Sequence, residues 1–258
     1  MTIKFNLLKF VYRSFLTGFP LIAYNPFSNN PFHTEFKVKK YSTYVNYELN
    51  SDQVYYIDKY IRNKTDSLFL DKIKLHENEA EKKYYLSINI YNCTSPLFNL
   101  ITNKDEITRC EINTYVKNEN NETGTLITDY TSNMLSMDPV NVFKYPLKSV
   151  FNIKNNIMMC EAQNKNFKFD LMYDLNRIRE FKMDNDLHSY SDKIFYSNGI
   201  YDKLYYDSSL THANTYVPKC SMLYFRFGDL IFDKPKSIFY FDEDIIFAGS
   251  IWANILEK

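Results

Sequence analysis

Residues 84–91 read Tyr-Tyr-Leu-Ser-Ile-Asn-Ile-Tyr, an alternation of period two. Leu86, Ile88 and Ile90 fall on one face; Tyr85, Ser87, Asn89 and Tyr91 fall on the other. That predicts a core strand through Cys93. The second face is aromatic and polar, which fits a strand lining a ligand cavity and equally one facing solvent. The same period recurs over 107–117, where Ile107, Arg109, Glu111, Asn113 and Tyr115 share a side. It predicts further strands over 36–47, 67–75, 125–131, 148–153, 157–162, 167–173, 220–227, 236–241 and 245–256.

The breaks between these runs read as turns. Asn118–Gly124 predicts a hairpin in which Gly124 takes a positive φ. Asn155-Asn156 and Gln163–Asn166 predict two more, and Asn198-Gly199 joins strands at 193–200 and 201–206. Helical spacing is scarce. Ser51-Asp52-Gln53 can cap a helix carrying Tyr55, Tyr56, Ile57, Tyr60 and Ile61. Pro139 and Pro146 bracket a short helix, and the charged run 175–186 predicts another helical turn. Many short strands at near-regular spacing predict a mainly β, α+β fold: a curved antiparallel sheet or cone-like β-barrel with few peripheral helices. Residues 1–34 read as an N-terminal helix and a Pro/Asn-rich connector, and 35–258 as a single β-rich domain.

Composition supports strands and narrows the chemistry. There are 23 Tyr and 21 Phe against 5 Gly in 258 residues, an aromatic excess that suits sheets and opposes disorder. So few glycines leave no Gly-rich phosphate loop. Lys plus Arg and Asp plus Glu both total 31, so no global field favours nucleic acid. Cys93, Cys110, Cys160 and Cys220 form no Cys-x-x-Cys unit and sit in or beside apolar runs. They read as buried, reduced thiols and place the protein in the cytoplasm. No apolar run reaches the length of a membrane span. His33, His76, His188 and His212 lack a metal-ligand partner at short spacing. Three Asn-x-Thr sequons are expected by chance in so Asn-rich a chain. Arg177, Arg179 and Glu180 read as a charged loop, and Asp242-Glu243-Asp244 as a solvated turn.

The stretch 84–151 carries the strongest chemical pattern. A strand (84–91) is followed by a Pro-containing loop, Ser95-Pro96-Leu97. Next come a strand bearing a glutamate, Cys110-Glu111-Ile112, a hairpin at Gly124, another strand, and Phe143-Lys144-Tyr145-Pro146-Leu147-Lys148. In this order of elements the chain resembles the acetoacetate decarboxylase family. The resemblance covers about a quarter of the chain. It implies a barrel-like domain with a central cavity, and a cofactor-free lyase or decarboxylase acting on a small keto or enoic acid. The family's element reads Gly-Tyr-Pro-Lys-Lys. Its first lysine forms the Schiff base, and the second depresses the pKa of the first. Here Lys144 stands at the glycine, Leu147 at the first lysine, and Lys148 at the helper. A solvated lysine, with pKa near ~10.4, must be desolvated or placed beside another cation before it can attack a carbonyl. In a regular strand Lys148 faces away from Leu147.

The resemblance implies catalytic roles for Lys148 as the amine or anion binder, Glu111 as the proton carrier and Tyr145 as the orienting hydroxyl. It adds Lys144, Leu147, Asn89 and Tyr91 as ligand-lining positions. Two other readings stand beside the enzyme. One is a small-molecule binding protein of the same fold that has lost its nucleophile, as Leu147 suggests. The other is an interaction protein using its aromatic surface. The partner expected on the first two readings is a small-molecule ligand, with homo-oligomerisation as a family habit, no nucleic acid and no stable membrane insertion.

Overall fold

In the computed structural model the described residues are 33–64, 73–75, 83–94, 106–118, 120–121, 123–133, 136–137, 142–144, 148–181, 194–196, 203–208 and 215–250. The helix and connector expected over 1–34 lie outside them as far as residue 32, as does the loop at 95–101.

Strands dominate, as the alternation predicted. They are β1 (His33–Val38), β2 (Thr43–Leu49), β3 (Ile73–Leu75), β4 (Tyr84–Thr94), β5 (Ile107–Asn118) and β6 (Thr123–Ser132). After these come β7 (Ser136–Met137), β8 (Val142–Lys144), β9 (Lys148–Lys154), β10 (Ile157–Gln163), β11 (Phe167–Phe181) and β12 (Ile194–Tyr196). The last are β13 (Lys203–Ser208), β14 (Thr215–Phe227), β15 (Leu230–Phe232), β16 (Ser237–Phe241) and β17 (Ile245–Ser250). One helix, α1 (Ser51–Lys64), is present among the described residues.

The pairings close a ring. β4 pairs β5, β5 pairs β6, β6 pairs β12, β12 pairs β13, β13 pairs β17, β17 pairs β1, and β1 returns to β4. All are antiparallel except β6–β12. One edge of β4 is shared: Cys93 and Thr94 pair β1, whereas Tyr84–Ile90 pair β2. From β2 the sheet continues through β16, β14, β11 and β10 to β9, forming a second lobe.

The main core fills that second lobe. Ile88 and Ile90 of β4, Cys110 and Ile112 of β5, Phe169 of β11 and Phe225 of β14 are fully buried in it. Phe225 lies 4.9–6.5 Å, ring to ring, from Tyr47, Phe169, Phe227 and Phe232. Helix α1 adds Ile57 and Ile61 and leaves Tyr55 in solvent. Its start is a reciprocal box. The Gln53 amide donates to Asn50 Oδ1 and the Asn50 amide to Gln53 Oε1, each at 2.9 Å. The cap is thus Asn50, one residue before the expected Ser51.

Four local expectations fail for identifiable reasons. The strand predicted over 36–47 breaks at Lys39–Ser42, where Tyr41 takes a φ of 69°. Asp244, at the entry to β17, holds this corner: it accepts from the Lys40 amide (2.9 Å) and Lys39 Nζ (3.1 Å). Secondly, the left-handed residue of the 118–124 turn is Asn121, at φ 61°, and Gly124 is a buried β6 residue. Asn tolerates this conformation nearly as Gly does. Thirdly, Val142–Lys144 is extended and pairs with β7, not helical. Valine and phenylalanine favour strand, and Pro146 disfavours helix just before it. Lastly, 175–181 continues β11 instead of coiling. A register shift after Tyr173 lets it keep pairing with β14. In this region Arg177 pairs with Asp174 at 3.5 Å, exposed.

The Asp244 corner has a pH signature. Burial raises the Asp244 pKa, but the Lys40 amide and the ammonium groups of Lys39 and Lys37 outweigh it and leave the carboxyl below its usual range. A carboxyl lowered in the folded state stabilises above its unfolded pKa of about 3.9, and that contribution fades as pH falls below it. Asp244→Asn should therefore remove part of the acid sensitivity below about pH 4. Thermal melts of both proteins at pH 3 and pH 7 check this, and the stability difference between them must narrow at the lower pH.

A candidate site on the inner face of the ring

Both faces of β5 are buried from Ile107 to Val116, and both faces of β4 from Tyr85 to Tyr91. One face of each strand enters the main core with α1, β10, β11 and β14. The other face is the one enclosed by the ring. It carries the polar half of the alternation: Ser87, Asn89 and Tyr91 from β4, and Arg109, Glu111 and Asn113 from β5.

Register sets these residues in rows. Tyr44, Asn89, Glu111 and Tyr130 stand side by side across β2, β4, β5 and β6. The next row runs Tyr91, Arg109, Ser132, and a third sets Ser87 beside Asn113. Directly opposed Cβ atoms lie about 4.5–5.5 Å apart, so the alternation packs these groups against one another without any loop contribution.

A buried ion pair is the centre. Arg109 Nη2 donates to Glu111 Oε1 at 3.0 Å, and Tyr91 OH donates to the same oxygen at 2.7 Å. Arg109 is 2% exposed and Glu111 5%. The guanidinium carbon lies 5.0 Å from the Tyr130 ring centre and 5.7 Å from that of Tyr91, cation–π range for both. Burial pulls the Arg109 pKa down, but Tyr130, Tyr91 and Glu111 together outweigh it and keep the guanidinium charged. Burial raises the Tyr91 hydroxyl well above its ordinary value. Arg109 opposes that rise and Glu111 adds to it, so Tyr91 remains a donor. Tyr44 is raised by burial and by Glu111. Burial pushes the Cys93 thiol up to about 12, which makes it inert.

An apolar wall borders the pair. Val38, Cys93, Ile107, Phe239, Phe241 and Ile245 are all buried there. Tyr44 stacks on Phe239 (5.2 Å, 6°) and meets Phe241 edge-on (5.5 Å, 90°). Such a wall lowers the local dielectric and strengthens every charge interaction beside it. On the polar side, Asn89 Oδ1 and Asn113 Oδ1 have no hydrogen-bond partner among the described residues. Among the described residues no group of three or more His, Cys, Asp or Glu side chains could hold a metal ion.

Of the residues singled out in the sequence, Glu111, Asn89 and Tyr91 come together here. Tyr145 and Leu147 lie outside the described residues. Lys144 and Lys148 are described only as backbone, in β8 and β9. Position 148 pairs with Gln163 at the start of β9. The residues that sequence reasoning missed are Arg109, Asn113, Tyr44 and Tyr130. Arg109 and Asn113 already shared a predicted face with Glu111. Two charges and an amide on one side of a strand whose other side reads Thr108, Cys110, Ile112, Thr114 and Val116 were the available signal. Tyr44 and Tyr130 enter only through cross-strand register, which the sequence does not display.

No family model matches the sequence, and no curated protein matches it. Solved structures do. An acetoacetate decarboxylase-like enzyme from Sphingomonas wittichii RW1 superposes with a TM-score of 0.51 at 6% identity, covering 84% of this chain and 91% of that one. The enduracididine biosynthesis enzyme MppR, complexed with pyruvate, overlaps with a TM-score of 0.44 at 10% identity, over 86% of this chain and 88% of that one. The first match shows that the chain has the acetoacetate decarboxylase-like fold.

Proposed function

We propose that this protein is a cofactor-free lyase- or decarboxylase-like enzyme acting on a small keto or enoic acid, held against the polar face of β4 and β5. The observation that supports it is the buried Arg109–Glu111–Tyr91 cluster beside a dry aromatic wall. Both hydrogen bonds to Glu111 fall on Oε1, which orients the carboxylate along one strand face. The Arg109 guanidinium is planar and charged, a geometry suited to a substrate carboxylate. Tyr91 orients Glu111, and Asn89 lines the opposite strand. A positioned carboxylate in such a wall would contribute ~10²–10⁴-fold to a proton transfer.

In the proposal, Lys148 and Tyr145 remain the amine and the orienting hydroxyl of the Tyr-Pro element, with Lys144 and Leu147 beside them. Borohydride trapping with pyruvate, 2-oxobutanoate and acetoacetate, followed by mass mapping, separates the two chemistries. An adduct on Lys148 means an imine mechanism; turnover without any adduct means Glu111 works alone. We expect CO2 or enoate formation from at least one acid of this panel, and a fall of about 10²-fold or more in kcat for Glu111→Gln. Neither turnover nor binding of any of these acids, or of an amino-substituted analogue, would remove the enzyme reading.

Leu147, standing where the family has its imine-forming lysine, favours a second reading: the same face binds a small molecule without converting it. Native mass spectrometry of the purified protein tests that reading through a retained ligand. The proposed setting is the cytoplasm, with the cysteines reduced, and light scattering would test the proposed homo-oligomer.

A further inference from the structure

We infer that the acid taken by this face also carries an ammonium group, so that the ligand is a zwitterion. The inference rests on the reading of the ring-enclosed face as the substrate site. Two observations carry it. The first is a pair of orphaned acceptors. Asn89 and Asn113 are 7% and 6% exposed, and the Oδ1 of each meets no donor among the described residues. Asn89 stands directly beside Tyr44 in the register, and its carbonyl oxygen is the end left without a donor. A buried amide oxygen without a donor is costly enough that native proteins rarely keep one, and here two stand together. Asn89 lies directly across from Glu111, and Asn113 follows Glu111 on the same face of β5. The two amides are therefore diagonal neighbours, about 7–8 Å apart backbone to backbone, within reach of one small group between them.

The second observation is the charge count. Among the described residues of this face the charged side chains are Arg109 and Glu111, and they pair with each other. Beside that pair, a ligand that brings only a carboxylate adds one buried negative charge, which a low-dielectric site resists. A ligand that brings a carboxylate and an ammonium adds no net charge. The geometry is in the right order. Arg109, Glu111 and Asn113 are alternate residues of one strand, successive ones about 6.8 Å apart. The carboxylate would sit at Arg109, the reacting carbon at Glu111, and the ammonium between the Asn89 and Asn113 carbonyls. An ammonium has three donors and no acceptor, which matches two orphaned oxygens that can only accept.

Calorimetric titration of the intact protein with butanoate, 4-hydroxybutanoate and 4-aminobutanoate tests this without any mutation. The expected order is 4-aminobutanoate tightest, by about tenfold or more over butanoate, with 4-hydroxybutanoate weaker than the amine. In Asn113→Leu, and separately in Asn89→Leu, the gap between amine and butanoate should close to within about twofold. Equal affinity for all three, or a preference for the hydroxyl compound, overturns the inference. Binding of 2-oxobutanoate that is weakened by Glu111→Gln would, in that case, leave the site reading standing. Binding of neither 2-oxobutanoate nor 4-aminobutanoate removes both.

Discussion

Arg109→Met is expected to destabilise the protein by about 3–5 kcal/mol, the cost of leaving one partner of a buried ion pair without the other. The carboxylate of Glu111 would keep only the Tyr91 hydroxyl of its two hydrogen bonds, inside an enclosure where it is 5% exposed. Arg109→Lys should recover little. Its ammonium lacks the planar face that lies against the Tyr130 and Tyr91 rings. The double replacement, Arg109→Met with Glu111→Leu, should be far milder than the sum of its parts, because it removes both charges and fills the volume. Urea unfolding of the four proteins closes the cycle. A coupling energy below about 0.5 kcal/mol would mean that the pair is independent, and the electrostatic core of the site would be wrong.

Much of this architecture was legible in the alternation of β4 and β5, because a period of two fixes which side chains share a face whatever the strand pairs with. It put Asn89 with Tyr91, and Arg109 with Glu111 and Asn113. It could not say whether that face met solvent, since an enclosed polar face and a solvated one have the same composition. Only the ring through β12, β13, β17 and β1 decides this, and those strands include a parallel pair and pieces of three to six residues. Short strands carry too little pattern to be matched with their neighbours from sequence. The α1 cap was misplaced by one residue for a similar reason: Asn50 and Ser51 are both good caps, and the reciprocal bond to Gln53 selects between them. The Pro139–Pro146 stretch misled because prolines bracket turns of many kinds, and Val142-Phe143 outweighed the bracket.

The second large effect is expected away from the candidate site, at Asp129. This residue is 2% exposed and faces the core side of β6. Its Oδ1 accepts from Asn164 Nδ2 at 2.9 Å and from the Tyr130 amide at 2.7 Å. Its Oδ2 accepts from Asn166 Nδ2 at 2.7 Å and from the Tyr60 hydroxyl of α1. One carboxylate thus ties the helix and the β10–β11 turn to β6. The turn passes the constraint on. The Asn166 carbonyl accepts from the Gly228 amide at 2.6 Å. Gly228 sits at φ +57°, where an added Cβ would fall 1.8 Å from the Tyr56 hydroxyl oxygen, so only glycine lets α1 approach the β14–β15 turn. Hydrogen bonds to a charged acceptor contribute about 1.5–3 kcal/mol each, and water entering the half-buried turn recovers part of that loss. Asp129→Ala should therefore cost about 4 kcal/mol, against about 1–2 for Tyr60→Phe, which removes one donor only. Hydrogen exchange should locate the damage: amides of α1 and of residues 164–167 lose protection first, while the β1–β17 pairing is unchanged. Uniform loss across every strand would mean that Asp129 merely contributes to global stability. Because Tyr130 follows Asp129 and lies under the Arg109 guanidinium, the same variant should also weaken ligand binding, which ties the anchoring of the helix to the site inside the ring.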